Sequence, residues 1–413
     1  MLLTELQKQM EKYAELLVQV GVNVQPGQVL YVESPIESAD FARLVTAKAY
    51  QAGAKYVQLN WRDETVERMR YDLAGPESFA FYPPWTAHMM ESIAESGGAV
   101  LLLDGENPNL YEGVDPAKIS ASRKAAAAAR RNYLGYVRTN RISWCIVNVP
   151  SQAWADQVFA DRPQEERVNA LWESIFRMNH IDEEDPVAAW QRHTQHLRAV
   201  TDKLNAKQYR RLHYKAPGTD LTIELAPGHI WLGGGQVNQS GIPFVANMPT
   251  EEVYTMPHRA GTNGTVSSTR PFVLNGQLVD RFTLTFREGR VVDFTSETGY
   301  EALKQFLDAD EGTRYLGEIA IVPHDSPISR LNRVFYNVGI DENASCHFAL
   351  GSAYPTNLQG GAGLSDEELL ARGANVSMQH EDFMVGSAER SIDAEHEDGT
   401  IEPLLRNGSW VIR

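Results

Sequence analysis

Apolar positions near the start of the chain recur at helical steps. Leu6, Met10, Tyr13, Leu17 and Val20 stand three or four residues apart, which puts them on one face of a helix. Pro26-Gly27 then breaks the chain, and residues 29–34 form a short apolar run of strand type. Ser38 or Asp40 is placed to cap a second helix with Phe41, Leu44, Val45 and Ala49 on its apolar side, and Gly53 ends it. The same reading predicts strands over 55–61, 99–105 and 142–150, a helix over 85–95 and a long helix from about 115 to 139. Apolar strands separated by helices are the pattern of a mostly parallel sheet covered on both faces. The N-terminal part is therefore expected to be a doubly wound α/β domain.

Residues 164–203 read as helical, with one stripe at Val168, Leu171, Trp172, Ile175 and Phe176 and another at Trp190, Leu197, Val200 and Leu204. From Tyr209 onward the pattern changes to short β-type segments separated by turns, including 375–380 and 383–386. Asn275-Gly276 and Glu288-Gly289 have the composition of hairpin turns. Helices are expected only near 300–306 and 366–372. These features place a boundary near 205, giving an α/β scaffold domain over 1–205 and an α+β catalytic domain over 206–413. No internal repeat is present.

Composition narrows the function. Thirty-eight basic residues against 54 acidic ones give a net charge of −16, which disfavours nucleic-acid and anionic-membrane partners. That charge also favours the approach of a cationic α-amino group, although solubility alone accounts for it. Glu5, Lys8, Glu11 and Lys12 interrupt the first apolar stretch, unlike a signal peptide, and no window is apolar enough to span a bilayer. Cys145 and Cys346 are the only cysteines, so reduced thiols in a cytoplasmic protein are expected. The sequence contains no G-x-G-x-x-G or P-loop, so the α/β half reads as a scaffold without a nucleotide site, and Gly233-Gly234-Gly235 and Gly360-Gly361 read as turns.

Candidate chemistry lies in the second half, in four fragments. In residues 379–384, QHEDFM, an extended backbone points His380 and Asp382 to one side and Glu381 to the other. That pair could bind an ion or simply hydrogen-bond at a strand end; the second HED, at His396 to Asp398, reads as solvated surface. Residues 341–355, DENASCHFALGSAYP, carry Glu342, His347 and Tyr354 among small residues that leave room for substrate; a buried histidine and a core tyrosine are the plainer reading. Cys346 reads as a buried small hydrophobe rather than a nucleophile. Residues 247–255, NMPTEEVYT, hold Glu251 and Glu252, which face opposite sides if extended, so only one serves a given site; an exposed acidic turn is the alternative. Residues 316–323, LGEIAIVP, place Glu318 in an apolar strand, where it must reach the surface, pair, or bind a metal.

Together the fragments offer four carboxylates and two imidazoles. Such a set suits Zn²⁺, Co²⁺, Mn²⁺ or Mg²⁺ and exceeds the needs of one tetrahedral ion, which fits two ions about 3.5–4 Å apart that share a carboxylate. Two other classes stay open: a metal-free hydrolase working through two carboxylates, and a non-catalytic peptide- or metal-binding protein. The absence of G-x-S-x-G and of H-E-x-x-H disfavours a serine hydrolase and a zincin.

NMPTEEV, LGEIAIVP, DENASCHFALGSAYP and QHEDFMVG, in this order, resemble the M29 metallopeptidases, the thermophilic-type aminopeptidases T and S. The opening helix and the V-x-P-G-Q-V-L-Y segment extend the resemblance over nearly the whole chain. It implies metal ligands at Glu252, Glu318, Glu342, His347, His380 and Asp382, of which Glu342 is the least strongly marked, and a catalytic tyrosine at Tyr354. It also implies release of N-terminal amino acids from peptides with a free N-terminus, through a water bridging two divalent ions, and a homodimer with its active sites facing an internal cavity. Glu251 and Glu318 are both candidates for the proton-carrying carboxylate.

Overall fold

The computed structural model describes residues 4–274 and 277–412. The hairpin expected at Asn275-Gly276 lies outside the described residues. The chain divides into two compact units, one built on the residues up to 193 together with 235–249, the other on 194–234 together with 250 onward.

In the first unit, helix α1 (Glu5–Leu16) opens with a capping box: the Thr4 hydroxyl accepts from Gln7 N–H, and the Gln7 side chain accepts from Thr4 N–H. The helix runs into a π turn, Leu17–Gly21. That wider turn rotates the helix end, burying Leu17, Val18 and Gly21 and leaving Val20 of the expected stripe half-buried. Strands β1 (Val29–Pro35), β2 (Tyr56–Arg62), β3 (Ala99–Asp104), β4 (Trp144–Asn148) and β5 (Asn247–Met248) form one sheet in the order β5-β4-β3-β1-β2. Every pairing in it is parallel. Gly21 lies against this sheet, where an added Cβ would come within 3.2 Å of Cys145 Sγ and 3.3 Å of Met248 Sδ.

The long helix expected over 115–139 is two helices, Pro116–Ala129 and Arg131–Arg138, separated at Arg130. The alanine run supplies helix propensity but almost nothing to bury. The break frees the second piece to put Tyr133 into a cluster with Tyr31, Met90 and Ile142. Among the described residues, no helix is long and apolar enough to cross a membrane.

In the second unit, Leu197, Val200 and Leu204 of the helix Pro186–Lys207 pack into the main core. A nine-stranded antiparallel sheet contributes much of that core. Its hairpin between Gln277–Arg287 and Arg290–Thr298 turns through Glu288 (φ 49°) and Gly289 (φ 80°), as a two-residue turn requires. A second sheet carries the chemistry. Strands β6 (Val253–Thr255), β7 (Leu316–Ile321), β8 (His347–Gly351) and β9 (His380–Met384) run in the order β9-β8-β7-β6, with Leu232–Gly233 at the edge beside β6. All of its pairings are antiparallel.

Side-chain alternation gives this sheet two unlike faces. Val253, Ile319, Ile321, Phe348, Leu350 and Phe383 belong to the apolar core. The other face follows from the register, since Tyr254 lies opposite Ala320, Ala320 opposite His347, Glu318 opposite Ala349, Ala349 opposite Asp382 and Gly351 opposite His380. The chain just before β9 is not a strand, unlike the β-type reading of 375–380. There the Ser377 hydroxyl and the Met378 N–H both donate to Asp310, which takes the segment out of sheet pairing.

Candidate metal centre

Alternation with Ile319 and Ile321 puts Glu318 on the face away from the apolar core, and a local irregularity turns Leu316, two residues earlier, to that core. The β7–β8 register shifts between Leu316 and Glu318, so Gly317 forms a bulge. Only glycine fits there: an added Cβ would lie 2.4 Å from Gly351 O and 2.5 Å from Ser352 O. Small side chains at Ala320 and Ala349 leave space between the ionisable groups on this face.

His347 is buried, at 1% exposure. Its Nδ1–H donates to the backbone carbonyl of Glu342 at 2.9 Å, with Ser345 O at 3.2 Å. That leaves Nε2 toward the carboxylates, 2.9 Å from Glu252 and 3.7 Å from Glu318. His380 repeats the arrangement: Nδ1–H donates to Ser352 O at 2.7 Å, while Nε2 lies 3.6 Å from Glu318 and 3.5 Å from Asp382. An imidazole with Nδ1–H tied to a backbone carbonyl presents a bare, oriented Nε2 lone pair, the usual form of a metal-ligating histidine. Glu342 opens a short turn after the helix Val338–Asp341. Three overlapping groups have ligand atoms within 4.8 Å of one another: Glu252, Glu318 and His347; Glu318, His380 and Asp382; Glu342, His347 and Asp382.

The donor chemistry fits divalent cations. Four carboxylates converge on two imidazoles, and among the described residues these histidines are the basic side chains paired with them. Glu252 Oε2 and Asp382 Oδ1 are buried without an aligned hydrogen bond, acceptor positions that a cation would satisfy. Crowding also shows in the proton affinities. Burial, with the Asp382 and Glu252 charges, pushes Glu318 up to about 7 against the lowering effect of His347. Burial and the neighbouring carboxylates Asp382 and Glu252 hold Glu342 well above the usual carboxylate range. Burial alone would lower His347 and His380, but the adjoining carboxylates outweigh it and raise both.

Tyr354 lies beside this group. Its ring is 4.9 Å from the His380 ring and meets Tyr254 edge-on at 6.1 Å. The residue keeps 41% exposure, yet its phenol end is enclosed near Glu318 and Asp382. Burial and those charges push its pKa well up, so the hydroxyl stays a donor at neutral pH.

The remaining candidates fall elsewhere. Glu251 is not part of the three overlapping groups. Its N–H donates to Asn343 Oδ1 at 2.8 Å, and burial pushes its carboxyl up to about 8, with Arg330 lowering and Asp325 raising it. Cys346 is in the apolar core, with Sγ on Val322 O at 3.3 Å. Glu397 and Asp398 of the second HED are exposed in a turn. The carbonyls of Glu342 and Ser352 that orient the imidazoles carry no sequence signal, because every residue has a carbonyl.

A buried carboxylate–imidazole cluster on the open face of an antiparallel sheet defines a metalloprotein of hydrolase type, and comparison with known proteins agrees. A profile of the thermophilic metalloprotease family, M29, matches residues 6–410, and the chain belongs to that family. It is 50% identical over 405 residues to Aminopeptidase 2 of Geobacillus stearothermophilus and 46% identical over 404 residues to Aminopeptidase AmpS of Bacillus subtilis, covering 98% of both chains in each case. The solved structure of wild-type AmpT from Thermus thermophilus is similar with a TM-score of 0.93 at 40% identity, over 98% of this chain and 99% of that one.

Proposed function

We propose that the chain is a metal-dependent aminopeptidase that removes N-terminal residues from peptides at two divalent ions held by Glu252, Glu318, Glu342, His347, His380 and Asp382. One observation carries this reading: two imidazoles, each locked through Nδ1–H to a backbone carbonyl, turn Nε2 toward a group of four carboxylates, of which Glu252 and Glu318 are buried and Glu342 and Asp382 half-buried. Full-length likeness to proteins named aminopeptidases supplies the substrate class. Six ligands are more than one tetrahedral ion takes, and the groups overlap pairwise through Glu318, His347 and Asp382, of which the carboxylates Glu318 and Asp382 are able to bridge two ions. Zinc, cobalt, manganese and magnesium all suit the set.

Bound divalent cations polarise the scissile carbonyl and make water nucleophilic near neutral pH. The chain's own residues do the rest. The Tyr354 phenol donates to the oxygen on which negative charge develops. Glu318, which touches both histidines, and Glu251 are the two candidates to take the water proton and return it to the leaving amine. The sheet in the first unit, without a glycine-rich phosphate loop, acts as scaffold. Cytoplasmic location and homodimer assembly belong to the same proposal; the two buried free thiols suit a reducing compartment. The test is metal per chain together with turnover of leucine and arginine anilides on one preparation. Turnover that survives chelation would defeat the reading, and turnover lost to chelation and restored by added metal supports it.

A further inference from the structure

Tyr354 sits between β8 and the single 3-10 turn Pro355–Asn357, which it caps, outside the sheet ladder. Two asparagines, each 1% exposed, grip that segment from both sides. Before the tyrosine, Asn375 accepts the Ala353 N–H on its backbone carbonyl at 2.8 Å. Its side-chain NH₂ donates to Gly351 O at 2.6 Å and Gly312 O at 2.8 Å. Asn375 Oδ1 accepts from Arg259 Nε at 3.1 Å, and that guanidinium lies 3.7 Å over the Tyr315 ring. The carbonyl between the gripped positions, Ser352 O, is the one that holds His380 Nδ1.

After the tyrosine, Asn357 makes the matching contacts. Its N–H donates to Tyr354 O at 3.0 Å, and its own carbonyl accepts from Ile230 N–H at 2.7 Å. Its side-chain NH₂ donates to Ile230 O at 3.0 Å and Tyr254 O at 3.2 Å. Tyr254 is on β6, two residues beyond Glu252. The segment 351–357 is thereby tied to the neighbourhood of His380 at one end and to the strand following Glu252 at the other.

We propose that Asn375 and Asn357 are positioning residues: through donors to Gly351 and Tyr254 carbonyls, they clamp the segment between them and set where the Tyr354 hydroxyl stands relative to the carboxylate–imidazole cluster. The proposal rests on reading Tyr354 as the phenol donor. A buried side-chain amide suits this work because it offers two donors and an acceptor in one rigid plane, and a carboxylate of equal size lacks the donors. Small displacements of a catalytic donor cost large factors in rate, so the clamp acts on turnover more than on binding.

The experiment uses the metal-loaded full chain with Asn357→Asp and Asn375→Asp. The serine substitutions at the same positions serve as a second pair that buries no charge. The expected result is a fall in kcat of about tenfold or more, with KM unchanged at saturating metal, metal per chain unchanged in the Asn357 variants, and no further loss when Tyr354→Phe is added. In parallel, 3-fluorotyrosine placed at position 354 should give one sharp ¹⁹F signal in the parent and a shifted or broadened one in the variants. Losses that add to that of Tyr354→Phe, or a ¹⁹F signal unchanged in all variants, would overturn the clamp. Full activity of Tyr354→Phe alone would instead remove the phenol from the reaction, and the ¹⁹F signal would still judge the clamp.

Discussion

Glu251 and Glu252 are consecutive in the chain and meet different surroundings. Glu252 reaches His347 Nε2 at 2.9 Å, whereas Glu251 stands under the influence of Arg330 and Asp325. The two should respond differently to substitution. Glu252→Ala is expected to lower metal per chain and activity together. Glu251→Gln is expected to keep its metal and lose about 10²–10⁴ in kcat, the usual contribution of a general acid–base. Elemental analysis beside steady-state kinetics separates them; a Glu251→Gln enzyme of full activity would exclude it as the proton carrier.

Tyr354→Phe removes only the hydroxyl. Because Tyr354 is offered as an oxyanion donor, kcat should fall by about 10²–10³ at constant metal content. The ring's contacts with His380 and Tyr254 remain, so KM should move little. A KM change without a kcat change would mean that the phenol binds substrate rather than serving the transition state.

Cations should stabilise the fold as well as activate it. Four carboxylates held close in a buried cluster repel one another until countercharge is supplied. Ligand linkage gives about 2.7 kcal/mol at a free metal concentration of 100 Kd. Thermal unfolding with and without chelator should therefore show a clear drop in Tm on metal removal. His347→Ala and Asp382→Ala should abolish that difference, and a chelator effect undiminished in both would show that the stabilising ion binds elsewhere.

Gly317→Ala tests the bulge. A methyl group there would press on Gly351 O and Ser352 O, and the strand must shift to admit it. Overpacking of this type costs about 1–3 kcal/mol. The shift moves Glu318 and the carbonyl that holds His380, so weaker metal binding should accompany the lower stability. Metal titration and urea unfolding of the same sample check both.

Glu402 should give a signature in acid. Hydrogen bonds from Tyr209 and Lys207 lower its pKa from 4.5 to about 2, even though the side chain is partly solvent-exposed. A carboxylate held down in the folded state adds stability that is fully present above the unfolded value. That contribution disappears as pH falls through about 2. Glu402→Gln should thus unfold more easily than the parent at pH 7 and match it near pH 2. The size of the difference will be modest because solvent screens the pair.

The sequence by itself determined most of the secondary structure of the first unit. Strands such as 99–104 are unbroken apolar runs, and α1 carries its own start signal at Thr4 and Gln7. Residue type and spacing marked the four fragments, and the resemblance to the M29 family picked the six ligands within them, including Glu252 over Glu251, which local pattern left open. Tertiary structure alone decided three things. Asn247–Met248 joins the parallel sheet beside β4, and two residues have no periodicity to read. Arg130 splits the expected long helix, since packing of Tyr133 overrides an alanine-rich helix preference. Convergence of Glu252, Glu318, Glu342, His347, His380 and Asp382 depends on antiparallel register and on the turns that carry Glu252 and Glu342 beside the sheet. These are contacts between segments far apart in the chain, and local pattern carries no information about which distant strand a residue will lie beside.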